Sequence, residues 1–201
     1  MSRNPRLAVI VLAAAGFGAG IAAAIWSAGF LPGAPARQAA ERPRIGSDFT
    51  LVTAAGAEVR WSELGDRHQL VFFGFTNCPE ACPVTLATAT EALRSLGADS
   101  AGLRVLLISV DPERDTPQAV GAYTAAFGPQ VIGYTGSEQQ IAAAAAAFGV
   151  FYERVPMGMP GEYMVNHTAS LFLLGPGDEI LEIIPYGASA TEIASAIRRH
   201  T

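Results

Sequence analysis

Two cysteines separated by three residues stand in the run Cys78-Pro79-Glu80-Ala81-Cys82-Pro83, and the 201-residue chain has no others. A bridge between them would close too short a loop to stabilise a fold by removing chain entropy. The pair is therefore read as chemistry. Both prolines are tolerated together only at a helix start, where the first N–H groups have no partner in any case. A spacing of four puts both sulfurs on one side of a first turn, and the positive end of a helix lowers thiol pKa, so thiolates are expected. Paired thiolates bind a soft metal, cycle as a dithiol, or lie inert. The surrounding Asn77, Pro79 and Glu80 are not a core setting, which argues against inertness.

The third chemical group is His167, in Tyr163-Met164-Val165-Asn166-His167-Thr168, a loop expected just before an apolar strand. A lone histidine is more often structural. This one gains weight because, in a thioredoxin-like fold, that loop abuts the turn carrying the cysteines. Two thiolates and an imidazole form a compact soft site suited to copper in either oxidation state. Zinc with an open position is a further option, although no nearby glutamate has a clear role as a base. A redox thioredoxin would carry two residues between its cysteines and a proline in the histidine loop. Here three residues intervene, and no proline lies between Gly161 and Gly175.

The elements that must position these groups are legible as periodicity. Phe49–Val52 and Glu58–Trp61 flank Ala54-Ala55-Gly56 as a hairpin. Gln69–Phe75 and Leu103–Val110 are continuous apolar runs, as in strands buried on both faces. Helical spacing runs from Cys82 to Leu96, from Pro117 to about Phe127 behind a cap residue, and through Ile141–Phe148 behind a capping box at Ser137 and Gln140. Val131–Tyr134 is a short strand. Val150–Val155 and Glu162–Val165 flank a Met-Gly-Met-Pro-Gly loop, strands Ala169–Leu174 and Glu179–Ile184 follow, and Ala190–Arg199 is the last helix. Parallel crossovers early and an antiparallel pair late predict an α/β fold: a thioredoxin-like mixed sheet flanked by helices, with an N-terminal hairpin.

Leu7 to Phe30 carries no charge, and a bilayer core takes about 20 helical residues. Arg3 and Arg6 precede it, so residues 1–6 are expected in the cytoplasm, 7–30 as a single transmembrane anchor, 31–44 as a Pro/Ala/Arg tether, and 45–201 as the domain outside. A cleaved signal peptide is the competing reading, against which stand the length of the apolar run and the proline in Ala34-Pro35-Ala36. Without Arg3 and Arg6 the rest carries 11 Arg against 18 acidic residues, which excludes an electrostatic footprint for nucleic acid.

Three stretches in order resemble the Sco/SenC family: Phe73-Gly74-Phe75-Thr76-Asn77-Cys78-Pro79-Glu80-Ala81-Cys82-Pro83, Ser109-Val110-Asp111-Pro112-Glu113-Arg114-Asp115-Thr116-Pro117, and Tyr163-Met164-Val165-Asn166-His167-Thr168. The resemblance covers roughly residues 45–200. It implies one copper ion, Cu(I) or Cu(II), held by Cys78, Cys82 and His167. It further implies a role in maturing the CuA centre of cytochrome c oxidase subunit II, as a metal-binding assembly factor rather than an enzyme, at the bacterial inner membrane with the domain on the periplasmic side. A separate copper donor protein is an expected further partner. The alternative it leaves open is an extracytoplasmic thiol–disulfide reductase using Cys78 and Cys82 as a redox-active disulfide. Where the family often has Asp before the histidine, this chain has Asn166, which brings no negative charge. Asp111, Arg114 and Asp115 are expected near the site as orienting groups or as a helix cap and turn. Met157 and Met159 are candidate transient copper donors.

Overall fold

The computed structural model describes residues 44–158 and 161–201. The expected anchor at Leu7–Phe30, the segment before it, the tether up to residue 43, and Met159 lie outside the described residues. Among the described residues no helix is long and apolar enough to cross a membrane.

The two continuous apolar runs become the centre of a sheet. Strand β3 (Gln69–Gly74) is buried along its whole length and β4 (Arg104–Ser109) along nearly all of it, so neither shows the alternation of a half-exposed strand. They pair in parallel from Gln69↔Arg104 to Gly74↔Ser109. β5 (Val131–Thr135) joins β4 in parallel. β1 (Thr50–Thr53) is antiparallel to β5, and β2 (Glu58–Arg60) closes that edge as a hairpin with β1. On the other side β8 (Leu171–Leu174) runs antiparallel to β3, and β9 (Ile180–Ile184) antiparallel to β8. The order is β2-β1-β5-β4-β3-β8-β9, the mixed sheet with an N-terminal hairpin that the element order predicts. Strands β6 (Tyr152–Pro156) and β7 (Tyr163–His167) form a second, two-stranded sheet of their own.

Helix α1 (Ala81–Leu96) connects β3 to β4, and α2 (Pro117–Ala125) connects β4 to β5. The α2 cap is Thr116, whose hydroxyl accepts from the Ala119 N–H, with Pro117 at the first helical position. α3 (Glu138–Phe148) and α4 (Ala190–Arg198) both open on capping boxes, at Ser137/Gln140 and Ser189/Glu192. Gly149 ends α3 in the left-handed conformation.

Helices cover both faces of the sheet, because successive side chains of β3 point in opposite directions. Phe72 and Gly74 face α1. Phe73 points the other way, its ring 5.1 Å from Phe148 of α3. Phe148 in turn contacts Phe49, Trp61 and Phe172, tying the N-terminal hairpin, α3 and β8 into one aromatic core. Phe148→Ala removes the hub of that cluster. The expected cost is about 3–5 kcal/mol, read as a lower denaturant midpoint at unchanged slope. A midpoint unaffected by the substitution would contradict this account of the core.

Candidate metal centre

The ends of β3 and β4 lie side by side, with the Val110 N–H donating to the Gly74 carbonyl at 2.8 Å. The cysteine loop leaves from one and the Asp111–Thr116 loop from the other. β8 starts against the same end, since Leu171 pairs with Phe72. The site therefore sits at the carboxyl ends of the parallel strands, where α/β sheets generally place ligands.

Cys82 is the second residue of α1 and is buried, whereas Cys78 precedes the helix and is half-buried. The N-cap position, Glu80, supplies no side-chain cap. The Cys78 sulfur does so instead, accepting from the Cys82 N–H at 3.3 Å. That contact brings the two sulfurs together although only one lies in the helix. Pro83, third in the helix, withholds an N–H that would have had no helical partner. The Cys82 sulfur rests against the bare Cα of Gly74: a Cβ there would meet it at 2.9 Å and the Phe72 ring at 2.8 Å. Gly74 was not singled out by the sequence reading. A glycine inside an otherwise apolar strand run is the signal that marks such a close approach.

His167 ends β7, paired with Tyr152, rather than lying in a loop as expected. The strand runs two residues further than its apolar pattern, because the ladder with β6 continues past Val165. The imidazole packs edge-on against Phe72 and Phe75, with centroids 6.0 and 5.8 Å away. Its Nδ1 is 3.1 Å from the Thr168 carbonyl, which can only accept, so Nδ1 carries the proton. Nε2 then offers its lone pair toward the Cys82 sulfur, 3.8 Å away. Burial holds the His167 pKa below its ordinary value, opposed by the bond to Thr168, and the ring is neutral at pH 7. Asn166 is exposed, on the other face of β7. The partner of the ring is a backbone carbonyl, so its orientation does not depend on which side chain stands at 166.

The donor atoms of Cys78, Cys82 and His167 lie within 4.8 Å of one another. Bonds of about 2.0–2.3 Å to three donors in a plane would set those donors roughly 3.5–4 Å apart. The set is thus within about an ångström of closing on one ion, and its two sulfurs and one nitrogen are the donors a soft metal takes.

One expectation is reversed. The helix start was expected to favour thiolates, yet the Cys82 thiol is pushed strongly upward. Burial is the main cause, with the neighbouring Cys78 sulfur and Asp115 adding to it; a charge with no access to water costs more than the helix end returns. In the metal-free chain Cys82 is a thiol, and an entering cation must displace its proton.

Asp115 is not the cap of α2. It is fully buried, and its carboxylate accepts from the Thr76 N–H (2.9 Å), the Thr76 hydroxyl (2.5 Å) and the Ser109 hydroxyl (2.6 Å). It thereby fixes the turn that leads into Cys78. Asp111, also fully buried, pairs with Arg114 and accepts from the Tyr163 hydroxyl at 2.7 Å. Met157 sits at the far tip of the β6–β7 hairpin, roughly 16 Å along the strands from His167, and is not brought to the site.

The sequence pattern of the SCO1/SenC family matches residues 37–201. Over 161 residues the chain is 32% identical to the Homo sapiens protein named "Protein SCO1 homolog, mitochondrial", which covers 79% of this chain and 54% of that relative. The chain thus spans about half the length of that relative. Bradyrhizobium japonicum ScoI, solved with copper bound, is similar with a TM-score of 0.70 and 32% identity over 78% of this chain and 99% of that one. BsSco, described as a member of the Sco family of cytochrome c oxidase assembly proteins with a disulfide switch, is similar with a TM-score of 0.60 and 26% identity, over 78% and 92% of the two chains.

Two outcomes follow from the geometry. Iodoacetamide on the metal-free chain should label Cys78 ahead of Cys82 by more than about tenfold, since attack needs an accessible thiolate; equal labelling would contradict the burial of Cys82. Gly74→Ala should displace the Cys82 sulfur and weaken metal binding while the circular dichroism spectrum of the fold persists.

Proposed function

The chain belongs to the SCO1/SenC family, and on that premise we propose that it binds one copper ion through Cys78, Cys82 and His167 and serves cytochrome c oxidase assembly. The observation that carries the reading is the convergence of two sulfurs and one imidazole nitrogen within 4.8 Å. Copper is cargo in this reading. Two thiolates hold it, and the imidazole completes a three-coordinate site with room for an incoming ligand from the acceptor. Cys78 is the more exposed of the two sulfurs, so the ion is approached from its side.

The finer reading is maturation of the CuA centre in cytochrome c oxidase subunit II, with a separate copper donor upstream. The Leu7–Phe30 run would anchor the chain in the bacterial inner membrane, with residues 45–201 as the domain on the periplasmic side.

A second reading is supported by the unequal exposure of the two cysteines. As a thiol–disulfide reductase, Cys78 attacks a target disulfide, and the Cys82 thiol, losing its proton, then displaces the target thiolate. Two electrons pass to the target, and Cys78 and Cys82 are left as a disulfide.

The two readings part on one comparison. The native chain and His167→Ala are loaded separately with Cu(I) and Cu(II), and stoichiometry and affinity are measured. The expected result is one copper per native chain and a loss of Cu(II) affinity in the variant at least as large as the roughly 10–100-fold that mutating a mere partner of a metal ligand costs. A His167→Ala chain that binds copper like the native one while reducing target disulfides briskly would leave only the second reading.

A further inference from the structure

The hairpin that carries His167 is held to the rest of the domain in an unusual way. β6 and β7 share no ladder with the seven-stranded sheet. Within β6 and β7 Val165 is the one fully buried residue, with Tyr152, Tyr163 and Met164 half-buried against the core, so the hairpin is held by one face and by its polar contacts. β7 is pinned at its His167 end by its continuation into β8. At its other end stands Tyr163, four residues away, or roughly 13 Å of extended chain.

Tyr163 is gripped by charged groups from the loop after β4. Its hydroxyl donates to Asp111 at 2.7 Å, and Arg114 Nη1 donates to its carbonyl at 3.1 Å. The Arg114 guanidinium lies 3.9 Å over the Tyr163 ring and reaches the Phe75 ring at 5.9 Å. From the hairpin itself, Arg154 approaches the same ring at 5.3 Å and pairs with Glu113 at 2.8 Å. One guanidinium therefore touches both the strand that bears the imidazole and the residue that leads into the cysteine turn.

We propose that Tyr163 and Arg114 are positioning residues for the imidazole: their grip on Asp111 fixes the far end of β7 and thereby holds His167 Nε2 against the sulfur pair. This rests on the copper reading above and extends it to how the third ligand is delivered and withdrawn. β7 is a stiff five-residue strand pinned at its His167 root, so displacing Tyr163 tilts the strand about that root and turns the imidazole relative to the sulfurs. The latch is strong enough to set a position, because hydrogen bonds to a buried carboxylate are among the stronger ones. It is also releasable. Arg114 Nη2 is buried without a partner among the described residues, so opening lets that donor hydrate and offsets part of the cost. With the latch open, copper keeps only its two sulfurs. That pair suits Cu(I), whereas Cu(II) also needs the nitrogen. Latch opening thus favours reduced over oxidised copper and frees a further coordination position for an acceptor's ligand.

The test uses the full chain with two conservative variants. Tyr163→Phe keeps the ring and loses one hydrogen bond. Arg114→Lys keeps the charge and loses the planar fork. In each, amide hydrogen exchange across residues 152–167 of the metal-free chain should quicken about tenfold, the equivalent of one charge-assisted hydrogen bond. Cu(II) affinity should fall several-fold, with a change in the copper–nitrogen coupling seen by electron paramagnetic resonance. Cu(I) affinity should stay within about twofold, as the thiolates suffice for it. Unchanged exchange and unchanged Cu(II) binding in both variants would overturn the proposal. So would faster exchange with native Cu(II) binding, because the latch would then hold the strand but not the imidazole. His167→Ala serves as the reference: if it too retains Cu(II), the ligand assignment fails, while the exchange rates still report on the latch.

Discussion

A carboxylate with no access to water, Asp115, accepts three hydrogen bonds where β3 and β4 end. Two come from Thr76 and one from Ser109, so the turn into Cys78 is fastened to the neighbouring strand. A buried carboxylate is tolerable only with such a full set of donors, and the loop geometry that supplies them is thereby fixed as well. The cysteine turn, the start of α1 and the loop that reaches toward the hairpin all take their positions from this one group. Thr135 adds a further tie by donating to the Asp115 backbone carbonyl at 2.9 Å, bringing β5 into the same network.

The site is built in two halves of unequal rigidity. The sulfur half is embedded: Cys82 lies against Gly74 on a central strand, and Cys78 is held by the Cys82 N–H. The nitrogen half rides on a hairpin outside the main sheet, tied by polar contacts, by one apolar face and by the root of β8. In the proposed copper reading, a protein that holds an ion and then surrenders it needs ligands that differ in this way. Three equally rigid ligands would hold the ion without a path for exchange.

Burial of Cys82 links metal binding to redox chemistry. A thiol held protonated by burial is a poor nucleophile, so in the proposed disulfide reading Cys82 must first lose its proton to displace the target from a mixed disulfide with Cys78. The same burial means that a metal must expel a proton to use that sulfur. Under the two proposed readings the metal and disulfide states would compete for the same pair.

The sequence by itself determined what local chemistry determines. The paired cysteines at a helix start, the capping residues, the buried runs of β3 and β4 and the order of strands all follow from residues a few positions apart, where spacing maps directly onto geometry. It also marked His167 as the third group, though placed in a loop. The structure decided what depends on remote segments. Cys82 and His167 are 85 positions apart, and their approach rests on the registers of β3, β4 and β8. Whether Cys82 is a thiolate or a thiol turned on burial, which reversed the effect expected of the helix start. Asp115 looked like a cap and proved to be a buried anchor, because Thr116 took the cap and the fold closed over the carboxylate. The roles of Gly74, Tyr163 and Arg114 come from close packing across elements, and that packing is set only when the whole chain has folded.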